Sequence, residues 1–394
     1  MTDTATDTPT DTPTETPTET PNDAAAETPD EAGARPALFT PLTLRGVTAR
    51  NRVWLAPMCQ YSAVDGMPGE WQLVHLAARA SGGFGLLLTE AAAVVPEGRI
   101  TPHDVGLWSD AQALAWRPVV DAVHARGALV AVQLAHAGRK ASTYRPWSPE
   151  QGTVPPDDGG WVTVAPSPIA FPGYAAPAAL DAAGIAAVVD AFAAATGRAL
   201  AAGFDAVEVH AAHGYLLHQF LSPLSNERTD AYGGDLAGRA RLLLEVVAAV
   251  RAAWPDDRPV LVRLSATDWT EGGLTVEEVA TVATWLAPIG VDLVDVSSGG
   301  NVLAPVAVGP GYQVPFARAV REASGLATSA VGLIGSGAEA ERVLADGSAD
   351  VVMIGRPALA DAAWPLRAAH ELGVPVASDG GAPWPPQYVR GAWV

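Results

Sequence analysis

Eight short apolar runs alternate with helix-forming stretches from Val53 to Leu372. The runs are VWLAP (53–57), GLLLTEA (85–91), LVAVQLAH (129–136), AVEVHAAH (206–213), VLVRLSA (260–266), LVDVSSG (293–299), SAVGLI (329–334) and VVMIGR (351–356). Most are nearly continuously apolar, the pattern of a parallel strand buried on both faces. Ala- and Leu-rich stretches fill the intervals at 71–81, 110–126, 181–202, 236–254, 275–287, 315–323, 337–346 and 358–372. Several begin after Asp, Ser or Thr and close at Gly or Pro, the residues that start and stop helices. Eight βα units in succession predict a (β/α)8 barrel. A doubly wound open sheet is the alternative, but it rarely needs eight even repeats, and no G-x-G-x-x-G opens the first helix.

Composition narrows the function. Hydrophobic residues are 49% of the chain and charged residues 17%, enough for a large core. The net charge is -19, and residues 1–35 hold nine of the 43 acidic residues with Arg35 as the only base. TPTDTPTETPTETP (8–21) repeats every four residues. Its prolines forbid helix and its side chains bury little surface, so residues 1–35 are predicted to be a disordered tail and 36–394 the barrel with a C-terminal docking tail. An acidic surface argues against nucleic acid and anionic membranes as partners. The lone Cys59 excludes an intrachain disulfide and a cysteine-ligated cluster. No apolar run is expected to span a bilayer. No basic start leads into an apolar core as in a secretory signal, and a cytoplasmic protein is expected.

A barrel places function at the C-terminal ends of its strands. Those ends read Met58 and Cys59, Glu90 and Ala91, Gln133 with His136, His210 with His213, Arg263, Ser297 with Ser298, and Gly355 with Arg356. VGLIGSG (331–337) and IGRPAL (354–359) close strands seven and eight, the corner where barrels bind phosphate on backbone N–H groups. Arg356 adds a guanidinium fork, and Gly332 and Gly355 allow close approach. His210 and His213 have no adjoining carboxylate and no H-E-x-x-H pattern, so no metal site is expected. They could be a core pair satisfied by backbone. Followed by Tyr215, they instead suit two donors aimed at a carbonyl oxygen that gains negative charge, each donor worth roughly 3–4 kcal/mol. Tyr215 would then supply a proton.

NRVWLAPMCQYSAVDG (51–66), EGRITPHDVGLWSD (97–110), QLAHAGRKAS (133–142), EVHAAHGYLLHQFLSPLSNERTDAYGG (208–234) and SSGG (297–300) together resemble the Old Yellow Enzyme family of flavin-dependent ene-reductases. The branch is the thermophilic-like one, with its cysteine in PMC and a C-terminal QY-x-RG, here Gln387–Gly391. The resemblance covers about residues 36–392. It implies an FMN-binding (β/α)8 barrel with non-covalent FMN and NADPH or NADH as reductant. Ala56, Pro57, Met58, Cys59 and Ala91 would line the flavin ring. Gln133 and Arg263 would bond its polar edge, with Gly332, Gly355 and Arg356 on its phosphate. The implied activity is reduction of the activated C=C bond of an α,β-unsaturated carbonyl or nitro compound by hydride from flavin N5. The substrate oxygen would lie between His210 and His213, Tyr215 would protonate the α-carbon, and Tyr61 would bond the substrate. Cys59 would tune the flavin rather than act as a nucleophile. Arg390 would reach a neighbouring subunit's site in a homodimer or homotetramer.

The sequence also departs from the branch. Ala360 stands where relatives place a second arginine after IGR. The loop from Arg145 to Gly160 is long and rich in Pro and Gly, and is read as a substrate lid. Two rival functions share the barrel: a metal-dependent hydrolase and an FMN-binding redox sensor without turnover. A relative carrying an iron–sulfur cluster is excluded by the single cysteine.

Overall fold

The computed structural model describes residues 35–376 and 384–393. The Thr-Pro-acid stretch at 1–34 lies outside the described residues.

Eight parallel strands close into a barrel in chain order. They are β1 (Val53–Leu55), β2 (Leu86–Ala93), β3 (Leu129–Ala135), β4 (Ala206–Ala211), β5 (Val260–Ser265), β6 (Leu293–Ser297), β7 (Ala327–Ala330) and β8 (Val351–Ile354). Each is followed by a helix: α1 (Glu70–Ser81), α2 (Asp110–His124), α3 (Ala182–Ala202), α4 (Leu236–Ala253), α5 (Val276–Leu286), α6 (Val314–Ser324), α7 (Gly337–Ala345) and α8 (Trp364–Glu371). Side-chain caps start several of them, as at Ser109, Asp181, Asp235, Thr275 and Ser336. The barrel is the (β/α)8 architecture that the eight repeats predict.

Alternation within each strand builds two cores. Outward residues such as Val130, Val132, Val207, Val262 and Val294 pack with the helices in one large cluster. Inward residues Trp54, Leu86, Leu88, Ala131, Ala206, Leu261, Leu293, Val351 and Met353 form a second, inside the barrel. A hairpin, Leu42–Leu44 paired with Val47–Ala49, lays Leu42 and Leu44 against this inner cluster and plugs the N-terminal end. Two residues further along, the inward positions turn polar: Gln133 follows Ala131, Glu208 follows Ala206, Arg263 follows Leu261 and Asp295 follows Leu293.

Three expectations need correction. The seventh strand runs Ala327–Ala330, not 329–334: the polar Thr328 and Ser329 are buried in the sheet, and the more apolar Val331–Ile334 is loop. The helix read over 358–372 is two helices, Arg356–Ala360 and α8, because Asp361 is extended and caps the next turn by accepting from the Ala363 N–H at 2.9 Å. One helix, α3, is after all long and apolar enough to cross a membrane by length and composition. Alanine dominates it, and it is a barrel helix: Ile185, Val188, Phe192, Ala195 and Ala199 are buried, and it packs on α2, α4 and β3.

Trp54 is the largest side chain inside the barrel, 1% exposed, with its indole N–H on the Asn51 carbonyl at 3.1 Å. Trp54→Ala should lower unfolding stability by about 3–5 kcal/mol in urea titrations, the usual result of emptying a packed aromatic site.

Candidate active site

Parallel register sets the neighbours at the mouth. Ala91 is level with Gln133, Gln133 with Glu208, His210 with Arg263, and Arg263 with Asp295. The buried Gln133 amide donates to Glu208 Oε1 at 2.7 Å, while Glu208 Oε2 has no partner among the described residues. Arg263 Nε lies 2.8 Å from Asp295 Oδ2, close enough for an ion pair but outside hydrogen-bond geometry. Ser329 Oγ donates to the other Asp295 oxygen. Burial, with Asp295 beside it, lifts the Glu208 carboxyl to about 8, against the pull of Arg263 and Gln133. Glu208 and Asp295 were not singled out in the sequence. The signal was available: each is a lone charge inside an otherwise apolar strand, VEVH and LVDV.

His210 ends the inner face of β4, and His213 sits just beyond it. Their rings are 5.2 Å apart and nearly perpendicular, and Tyr215 stands edge-on to His210 at 5.0 Å. Burial first, then the Arg263 charge, drives both imidazoles well below their ordinary value, so both are neutral. His210 Nδ1 accepts from the Ala212 N–H at 3.3 Å, which puts its proton on Nε2. His213 has a left-handed backbone, φ 58°, clamped on every side. Its N–H donates to Ser265 Oγ at 2.9 Å, its carbonyl accepts from Lys140 Nζ at 2.8 Å, and the next N–H, of Gly214, donates to His218 Nδ1 at 2.8 Å. Lys140 Nζ also donates to the Gly300 carbonyl at 2.9 Å, latching the loop after β6 to the loop after β4. Both loops need glycine here: a Cβ on Gly214 would meet the Gly300 oxygen at 2.2 Å, and one on Gly300 would meet His213 Cα at 2.7 Å.

Cys59, Tyr61 and Tyr215 pack on one small apolar patch of Ile100, Ala137 and Ala141. Burial, then the Asp104 and Glu90 carboxyls, pushes the Cys59 thiol well above its ordinary value, so it stays protonated. Burial likewise raises the phenols of Tyr61 and Tyr215. Ala56 and Pro57 are buried, and Met58 is half-buried. Glu90, at a bulge in β2, holds the strand-one loop by accepting from the Gln60 N–H at 2.8 Å and the Gln72 amide at 3.0 Å. Trp147, from the loop read as a lid, stacks edge-on against Tyr61 at 5.7 Å.

At the β7–β8 corner, a cavity of about 170 Å³ is lined by Arg263, Ser297, Gln313, Gly332, Gly355 and Arg356, among others. An added Cβ at Gly355 would only graze Ala56 and Met58 at 3.8 Å, so the space over that glycine is open. Arg263 Nε makes no hydrogen bond among the described residues. Two guanidiniums, of Arg263 and Arg356, line this cavity, a setting that suits an anionic group. His136 is different: its Nδ1 accepts from the Gly138 N–H at 3.0 Å, burial lowers it to about 4, and it is a structural residue. Arg390 is not brought to this mouth. Its neighbours Trp384–Tyr388 line a cavity with Arg50, Arg126 and Gly127, at the other end of the barrel. Among the described residues no group of three or more His, Cys, Asp or Glu side chains could hold a metal ion.

Comparison with known proteins follows the same lines. Residues 37–374 match the NADH:flavin oxidoreductase / NADH oxidase family. An NADPH dehydrogenase of Halalkalibacterium halodurans is 43% identical over 359 residues, covering 91% of this chain and 99% of the relative. Morphinone reductase in complex with tetrahydroNAD superposes with a TM-score of 0.72 at 31% identity, over 89% of this chain and 98% of that one. The Old Yellow Enzyme homologue from Zymomonas mobilis gives 0.73 at 30% identity, over 91% and 98%. The barrel and its mouth are those of an FMN-dependent oxidoreductase that uses NADH or NADPH. Within that class, the chain belongs to the NADH:flavin oxidoreductase / NADH oxidase family, on the Old Yellow Enzyme side.

Glu208 offers a check on the buried ring. A carboxyl whose folded value is raised contributes stability that is fully present below its ordinary value near 4.5 and is lost as pH rises through about 8. Urea midpoints of the wild type should therefore fall relative to Glu208→Gln across that window. Parallel pH profiles would show that Glu208 is ionised throughout.

Proposed function

We propose that the enzyme reduces the activated C=C bond of α,β-unsaturated carbonyl or nitro compounds. The observation that carries this is the pair of neutral imidazoles, each with one ring nitrogen uncommitted to the chain, beside Tyr215 and at the mouth that also holds Arg263. Two neutral donors converging on one oxygen favour the state in which that oxygen becomes an enolate. His210 and His213 orient the substrate oxygen and draw electron density from the conjugated bond. Tyr215, protonated because its phenol is raised, delivers the proton to the α-carbon. Tyr61 shares the apolar patch of Cys59 and Tyr215, stands edge-on to Trp147, and contacts the substrate from the strand-one loop.

Ala56, Pro57, Met58, Cys59 and Ala91 hold the flavin ring. Gln133 and Arg263 meet its polar edge, the guanidinium favouring negative charge there. Gly332, Gly355 and Arg356 take the phosphate. Bound FMN supplies hydride exchange with the nicotinamide and with the substrate β-carbon. NADPH is the reductant this reading favours, after the relatives that are NADPH dehydrogenases. The same reading keeps the protein in the cytoplasm as a homodimer or homotetramer, in which Arg390 enters a neighbour's mouth.

Purified protein should be yellow and should oxidise NADPH faster when 2-cyclohexenone is present; flavin without enone-dependent turnover would instead favour the redox sensor. Tyr215→Phe should slow enone reduction by about 10²–10⁴-fold while flavin reduction by NADPH is retained. Cys59→Ala should shift the flavin potential or KM and keep turnover, and no change in either would make the thiol a packing residue.

A further inference from the structure

A neutral imidazole carries one N–H, so a clamp built from two such rings works only if each presents that hydrogen toward the ligand. For His210 the Ala212 N–H settles the matter. For His213 the deciding group is a hydroxyl. His213 Nε2 lies 2.7 Å from Ser297 Oγ. Ser297 has a single proton and two acceptors in reach, His213 Nε2 and Gln313 Oε1 at 3.4 Å. If the proton went to Gln313, Nε2 would have to donate to Ser297, and Nδ1 would be left bare.

The neighbours decide against that. Ser298 Oγ donates to the same Gln313 Oε1 at 2.6 Å. The Gln313 amide is held in that orientation, because its Nε2 donates to the Val331 carbonyl at 3.1 Å. At 3.4 Å the Ser297–Gln313 contact is longer than an ordinary O–H···O bond, and the acceptor is already served. We infer that Ser297 donates its proton to His213 Nε2, and so fixes the tautomer in which His213 offers Nδ1–H to the substrate oxygen. Ser297 is thus a positioning residue, and Ser298 with Gln313 keeps its proton pointed the right way. Ser265, Lys140 and His218 hold the peptide on both sides of His213, and the ring itself stands edge-on to His210 with Nε2 on Ser297.

The inference rests on His213 meeting the substrate oxygen, but its test reads the ring directly. In FMN-bound enzyme labelled with ¹⁵N-histidine, long-range ¹H–¹⁵N spectra, assigned by loss of signals in His213→Asn, should show a protonated Nδ1 and a bare Nε2. Ser297→Ala should populate the other tautomer and weaken binding of 4-chlorophenol on the order of tenfold. Ser297→Thr, which keeps the hydroxyl, should restore both. A wild-type ring protonated on Nε2, or a tautomer unmoved by Ser297→Ala, overturns the inference. Should Ser297→Ala lose its flavin, Ser298→Ala decides. Freeing Gln313 Oε1 to compete for the proton should raise the Nε2–H fraction, and an unchanged ring again overturns it. Absence of enone reduction alongside a protonated Nδ1 would count against the proposed reaction and leave the tautomer assignment standing.

Discussion

A buried polar ring halfway up the barrel constrains everything above and below it. Gln133 binds Glu208, and Arg263 faces Asp295, which Ser329 also serves. Beneath lies the apolar plug of Trp54, Leu261 and Leu293; above lies the reactive mouth. Buried charges are tolerated only where partners meet them, and breaking such a pair costs several kcal/mol. A one-residue slip of any strand would turn its polar inner residue outward into the helix layer and bring an aliphatic residue in. The register that satisfies the charges is therefore the register that seats the histidines. Fold specificity and site geometry come from the same side chains.

Arg263 links that ring to the chemistry. Its charge opposes ionisation of His210 and His213, and it also offsets part of the burial of Glu208. Keeping the imidazoles neutral suits an electrophilic clamp, since a neutral ring can donate without introducing a charge that would need its own counter-ion. Neutrality has a consequence: each ring keeps one hydrogen, so groups that never touch a ligand decide whether it points the right way. His213 also sits on a left-handed turn, φ 58°. A left-handed residue at the end of an inner strand persists only when its surroundings over-determine it. Here a serine, a lysine, a histidine and a glycine-to-glycine contact do so.

Most of this order could be read in the sequence, and the exceptions have physical causes. Seven strands announced themselves because their outward positions are β-branched or aliphatic and their inward positions start apolar. The seventh did not. Ser329 faces Asp295, so the true strand is locally more polar than the loop after it. Pattern alone cannot separate a strand with a buried serine from a turn. The candidate site residues at strand ends are picked out by their motifs, and the structure brings Cys59, Tyr61 and Tyr215 together on one patch. Their supporting partners are not picked out. The pairing of Ser297 with His213 crosses from β6 to the loop after β4, and that of Glu341 with the N–H groups of Ala37 and Leu38 spans most of the chain.

Arg390 marks a different kind of limit. Trp393 packs 5.8 Å from His370 and 5.3 Å from Trp384, and residues 384–388 lie beside Arg50 and Arg126. All of these belong to the end of the barrel where strands begin and helices finish, while the mouth is where strands finish. A side chain flanked on both sides by contacts at one end of the barrel is not available to the other end of the same barrel. Any role for Arg390 at a flavin must be exercised on another copy, through whatever symmetry relates the two. No residue pattern within one chain encodes that operator, so a tail motif can name the residue while leaving its geometry to the assembly.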